Sequence, residues 1–216
     1  MSSRRGRKLK WRLQELAANL QITTILVPVQ QAEIDQLHAF RVLAHSEVQA
    51  YLEEITEQVL TVTEDRALNG QVLTHAGHHL LVSSSLIPLG NKAQAVNAKF
   101  PFYDPMAAQR SVIADSSQLT AAIKRHRRVI KENGGVKAGN VRMLLSPLGY
   151  RDSCFAINLM DKLDEFGRER GNVAHGAGAA VTNIPTGSTE LKRITDILPG
   201  LIRLDQYVPR LLLPVA

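Results

Sequence analysis

From Gln31 to about Val62 the apolar residues Ile34, Leu37, Phe40, Ala44, Val48, Tyr51, Leu52, Ile55 and Val59 recur every three or four positions. This spacing predicts one long helix with a single buried stripe. A helix of roughly thirty residues spans about 45 Å, enough for the spine of a bundle. A second helix is predicted from Thr63 or Asp65 to Leu86, with Leu68, Val72, Leu73, Leu80 and Val82 inside and Pro88 ending it. The two suggest a helical hairpin. Gly90, Asn91, Pro101, Asp104 and Pro105 fall in a stretch without periodicity, so residues 90 to 110 read as a long connection.

A third helix is predicted from Ser116 or Ser117, either of which can cap it, through Leu119, Ile123, Val129 and Ile130 to the breakers Gly134 and Gly135. A short helical piece follows at Asn140 to Leu145. Between Cys154 and Arg170, the residues Phe155, Leu159, Met160, Leu163 and Phe166 share one helical face, opposite Asp and Lys. After Pro185, the run Ser188-Thr-Glu-Leu looks like a capped start for a last helix through Leu191, Ile194, Ile197 and Leu198, which Pro199 interrupts or ends. Only Ile22 to Val29 has strand character, and it lacks a partner run. The expected class is all-α, with residues 1 to 20 as a basic arm and short helix and residues 21 to 216 as one helical domain.

Composition narrows the function classes. The 216 residues are 44% hydrophobic and 21% charged, which is ordinary globular usage and not that of a disordered chain. No apolar run is long enough for a bilayer, and Trp11, Arg12, Gln14 and Glu15 interrupt any secretory pattern behind the basic start. A single cysteine, Cys154, cannot form an internal disulfide and reads as packing in a reducing, cytoplasmic setting. The net charge is +6, but Arg4, Arg5, Arg7, Lys8, Lys10 and Arg12 carry the excess; without these six the chain has 20 basic and 20 acidic residues. The high pI therefore belongs to the arm.

The stretch most suggestive of chemistry is Arg168-Glu-Arg170-Gly-Asn172-Val-Ala-His175-Gly, at the end of an amphipathic helix. With the early helix segment Phe40-Arg41-Val-Leu-Ala-His45-Ser-Glu47, it resembles the HEPN family, and in particular the bacterial RiboL-PSP-HEPN-like subgroup. The resemblance covers roughly residues 31 to 207. Many members are ribonucleases with an arginine, four to six arbitrary residues and a histidine. Arg170 and His175 match with four residues between them, and Arg168 matches with six. The family commonly has an asparagine directly after the arginine; here Gly171 intervenes before Asn172.

The resemblance implies an antiparallel four-helix bundle with added short helices, homodimerisation that brings both Arg and His pairs to one cleft, and an antitoxin or defence-system partner. It implies an RNA substrate and no cofactor. An Arg and His pair suits that reaction: imidazole exchanges protons near neutrality, and guanidinium holds phosphate oxygens without changing charge. His175 is the expected proton carrier and Arg170 the expected stabiliser of the pentavalent phosphate, giving a 2′,3′-cyclic phosphate with no metal. Five positions along an ideal helix separate Arg170 and His175 by about 140°, so the pairing calls for a bend at Gly171; Arg168, Asn172 and His175 share a face without one.

Other readings stay open beside this one. Arg168 and Arg170 can simply offset the helix dipole, and the protein can be a silent HEPN module that binds RNA, a nucleotide or a partner protein. Arg41, His45 and Glu47 interrupt the long helix's stripe and are candidates to face the cleft, Arg41 as an RNA contact and His45 and Glu47 as supporting residues, with Glu47 equally suited to a surface salt bridge and His45 to packing. Lys124, Arg125, Arg127 and Arg128 form a basic run that can hold an RNA backbone or be a solvated face. His75, His78 and His79 have helical spacing for a metal but lack a nearby carboxylate or cysteine, so no metal site is assigned.

Overall fold

The computed structural model describes residues 3–70, 72–86, 116–175 and 185–215, with the side chains of residues 85, 86, 116, 152 and 171–175 left out. These residues form an all-α fold, with one isolated antiparallel bridge, Thr74 to Pro214, and no strand among them. The helices are α1 (Arg4–Asn19), α2 (Gln31–Asn69), α3 (His75–Leu86), α4 (Ser116–Lys131), α5 (Ala138–Leu145), α6 (Leu159–His175) and α7 (Gly187–Leu211). None of the described helices is long and apolar enough to cross a membrane. The connection expected at residues 90 to 110 and Gly176 lie outside the described residues.

The chain divides into two compact units. The first comprises Met1–Tyr51, Gly135–Ala138 and Phe155–Gln206; the second comprises Leu52–Gly134, Gly139–Cys154 and Tyr207–Ala216.

In the first unit the basic arm is folded. Ser3 caps α1 by accepting from the Gly6 N–H at 2.9 Å, and Leu9, Leu13, Leu16 and Ala17 are buried. Asp205 of α7 anchors the start of α1: it takes a hydrogen bond from Ser3, an ion pair from Arg5 at 2.8 Å and a hydrogen bond from Tyr51 at 3.3 Å. The expected extended segment after α1 is a 3-10 turn at Ile22–Thr24, entered through Gln21 at φ 51°. Ile22 and Ile25 turn inward while Leu26, Val27 and Val29 remain exposed, so the β-branched run does not pair.

Helix α2 buries the stripe Leu37, Phe40, Ala44 and Val48 in this unit, and α6 buries Leu159, Leu163 and Phe166. Helix α6 starts at Leu159, later than its apolar pattern suggests, because Asn158 adopts a left-handed conformation (φ 61°) that asparagine tolerates. Thr186, not Ser188, caps α7: its Oγ1 accepts from the Thr189 N–H at 3.2 Å. Pro199 neither ends nor interrupts α7. Burial of Ile197, Leu201 and Leu204 around it, and seating of Gly200 against Leu159, offset the lost backbone hydrogen bond. A Cβ on Gly200 would lie 2.7 Å from Leu159 Cδ1.

In the second unit α2 continues past the expected break at Val62 to Asn69. The actual stop is Gly70, whose N–H bonds to the Arg66 carbonyl at 3.0 Å, as does that of Val72. Thr74 then caps α3, accepting from the Gly77 N–H at 3.0 Å. The core here is Ile55, Val59, Leu80, Ile123, Leu144 and Leu148.

Candidate functional site

The site is built where α2 packs on α6 and α7 within the first unit. Arg41 lies on the buried stripe of α2, one turn before His45, and both are almost wholly buried. The Arg41 guanidinium donates from Nε to Glu190 at 3.3 Å and from Nη2 to the other oxygen of the same carboxylate. From Nη1 it reaches the Glu169 backbone carbonyl at 3.4 Å and the Glu169 carboxylate at 3.5 Å. Arg193 closes the network, donating to Glu190 at 2.7 Å and lying 3.9 Å from Glu169. Two arginines and two glutamates thus tie the first turn of α7 and the residue before Arg170 to α2. A buried guanidinium demands such partners, because an uncompensated charge is costly there.

Arg41 was expected to contact RNA. With its side chain only 4% exposed and its donors directed at Glu190 and Glu169, it instead positions α6. Glu190, Glu169 and Arg193 did not emerge from the sequence. The available signal was a charged residue on an apolar helical face: Glu190 precedes Ile194, Ile197 and Leu201 at intervals of three and four.

His45 stacks on Phe166 with ring centroids 5.8 Å apart. Burial, and secondarily the charge of Arg170, lower its pKa from 6.5 to about 4. It is therefore neutral at pH 7 and unsuited to accept a proton there. Between pH 6.5 and 4 the unfolded chain binds this proton and the folded one does not. The stabilisation is complete above 6.5 and is lost as pH falls through that window. His79 and His126 are also lowered to about 4, chiefly by burial, and add to the same slope. We expect the urea midpoint to fall from pH 7 to pH 4.5 and His45→Gln to make the fall shallower.

Helix α6 continues through Gly171 to His175, so Gly171 does not end it. Regular rotation places positions 170 and 175 about 140° apart and positions 168 and 175 about 20° apart. Arg170 is half-buried and its charge reaches His45, whereas Arg168 is exposed. The side chains of Asn172 and His175 lie outside the described residues.

Glu47 is not part of this cluster. It accepts from Arg12 of α1 at 3.1 Å. Between α6 and α7 a groove of about 270 Å³ is lined by Lys162, Glu165, Phe166, Thr189, Lys192, Arg193 and Asp196. Two of its cations are paired, Lys192 with Asp196 at 2.6 Å and Arg193 with the glutamates, and Lys162 donates to the Asp196 backbone carbonyl at 3.4 Å.

In the second unit, Lys124, Arg125 and Arg128 are exposed on α4. Arg127, expected beside them on RNA, is held at 2.8 Å by both Glu57 and Glu64 of α2. His126 points inward, its Nε2 at 2.9 Å from the Leu144 carbonyl. His78 and His79 pack edge to face, and no group of three or more histidines, cysteines, aspartates or glutamates suited to a metal occurs among the described residues. Cys154 is buried. Compared with protein-family models, curated proteins and solved structures, the chain matches none of them.

Proposed function

We propose that the protein is a metal-independent endoribonuclease of the HEPN type, acting as a two-fold dimer in a cytoplasmic toxin, antitoxin or defence setting. The observation that carries this reading is the meeting of the two segments on which the HEPN resemblance rests. Arg41 and Glu169, 128 residues apart in sequence, are joined by a hydrogen bond. Buried Arg41 and His45 thereby support the helical turn that bears Arg170, ahead of His175.

In this reading Arg170 stabilises the charge that develops on the phosphate, while His175 moves the proton of the ribose 2′-hydroxyl or of the leaving oxygen. Because ideal helical rotation sets positions 170 and 175 about 140° apart, in this reading each site takes Arg170 from one protomer and His175 from its partner. Isologous symmetry then creates two such sites. In this reading α2, α6 and α7, which lie within the span of the resemblance, belong to the HEPN-type bundle. Exposed Lys124, Arg125 and Arg128 add a phosphate-binding surface.

Incubating the purified protein with single-stranded RNA in excess EDTA tests the reaction class. Cleavage leaving 2′,3′-cyclic phosphate ends is the expected result. No cleavage, or cleavage only with added metal, rejects the proposal.

A further inference from the structure

Helix α1 buries Leu9, Leu13 and Leu16 and turns a cationic face outward. On that face Arg4, Lys8 and Trp11 follow the 0, 4, 7 spacing of neighbouring turns, with Arg7 beside them. Arg5, by contrast, is turned inward to Asp205. Neither Arg4 nor Lys8 forms an ion pair with a carboxylate among the described residues. Trp11, the single tryptophan of the chain, is 57% exposed. The Arg12 guanidinium, itself held by Glu47, lies 6.0 Å from its ring centroid and buttresses it.

This face is electrostatically unfavourable for the free protein. The first turn of α1 contains no acid. Arg4 and Lys8 repel each other one turn apart, close to the positive end of the helix dipole. A bound polyanion reverses both effects. The ring beside the cations adds a flat surface on which any base can stack, a combination used for single strands. A lipid surface fits less well, because the apolar face that would enter a bilayer is already buried.

We propose that the outer face of α1 binds single-stranded nucleic acid, with Trp11 stacking on a base and Arg4 and Lys8 holding backbone phosphates. This surface is separate from the end of α6 and does not depend on the cleavage reading.

Oligodeoxythymidylate tests it without any cleavage, since DNA lacks the 2′-hydroxyl. Titration into the full chain is expected to quench Trp11 fluorescence. A plot of log affinity against log salt should have a slope of about −1.4, or about −0.7 for each of Arg4 and Lys8. Arg4→Gln/Lys8→Gln should make that slope shallower by about 1.4 while raising the melting temperature slightly, because like charges are removed. Trp11→Ala, followed by anisotropy of a labelled oligonucleotide, should weaken binding about 5- to 150-fold with the slope unchanged. Absence of quenching, a salt slope indifferent to the double substitution, or a response of Trp11 to phosphatidylserine vesicles but not to the oligonucleotide overturns the proposal.

Discussion

Glu190→Ala is expected to lower the unfolding free energy by about 3–5 kcal/mol, the range for removing one partner of a buried ion pair. The side chain of Glu190 is only 1% exposed and takes hydrogen bonds from both Arg41 and Arg193. Its removal leaves the Arg41 charge buried with little beyond Glu169 to face. Arg193 is 20% exposed and can turn partly to water, so the loss falls mainly on Arg41. Replacing the pair by Arg41→Met/Glu190→Leu should recover most of the stability, because apolar side chains of similar size need no counter-charge. Urea unfolding measures both effects. If the network positions α6, amide exchange in residues 168 to 175 should also quicken in Glu190→Ala more than it does in the second unit.

The other large effect concerns chemistry. His175→Ala should slow RNA cleavage by about 10²- to 10⁴-fold, the usual contribution of a placed proton carrier. Arg170→Ala should cost about 10²- to 10³-fold through lost stabilisation of the transition-state charge. Far-UV circular dichroism should be unchanged in both. Arg168→Ala should retain most of the rate, since Arg168 is exposed and outside the network that pins the turn. The opposite ranking of the two arginine variants would assign the phosphate to Arg168, which shares a helical face with position 175.

Much of this architecture was legible because amphipathic helices advertise themselves. The stripe from Leu37 to Val59 and the face Leu159, Leu163 and Phe166 are both buried at the spacing read from the sequence. Boundaries depended on finer chemistry. Asp65 resembles a helix start, yet α2 passes through it because the chain first meets a true stop at Gly70. Pro199 resembles a stop, yet apolar packing on either side carries α7 through it. Ser188 resembles a cap, but Thr186 supplies the oxygen and Glu190 is committed elsewhere.

Positions were more legible than partners. Arg41 and His45 stood out as polar residues within an apolar stripe, but only the fold discloses that Arg41 is neutralised by a carboxylate 149 residues away. Likewise, the clustering of charge in the arm was plain, whereas its division into an anchoring Arg5 and an outward Arg4 and Lys8 required the buried Asp205 of α7. Long-range ion pairing leaves no periodic trace in sequence.

Mixing Arg170→Ala with His175→Ala protein, after unfolding and joint refolding, tests the shared site most directly. Random pairing makes half of the dimers mixed, and each of these regains one of two sites, so about a quarter of the wild-type cleavage rate should return. Activity no higher than that of the two parents would contradict a site assembled from two protomers.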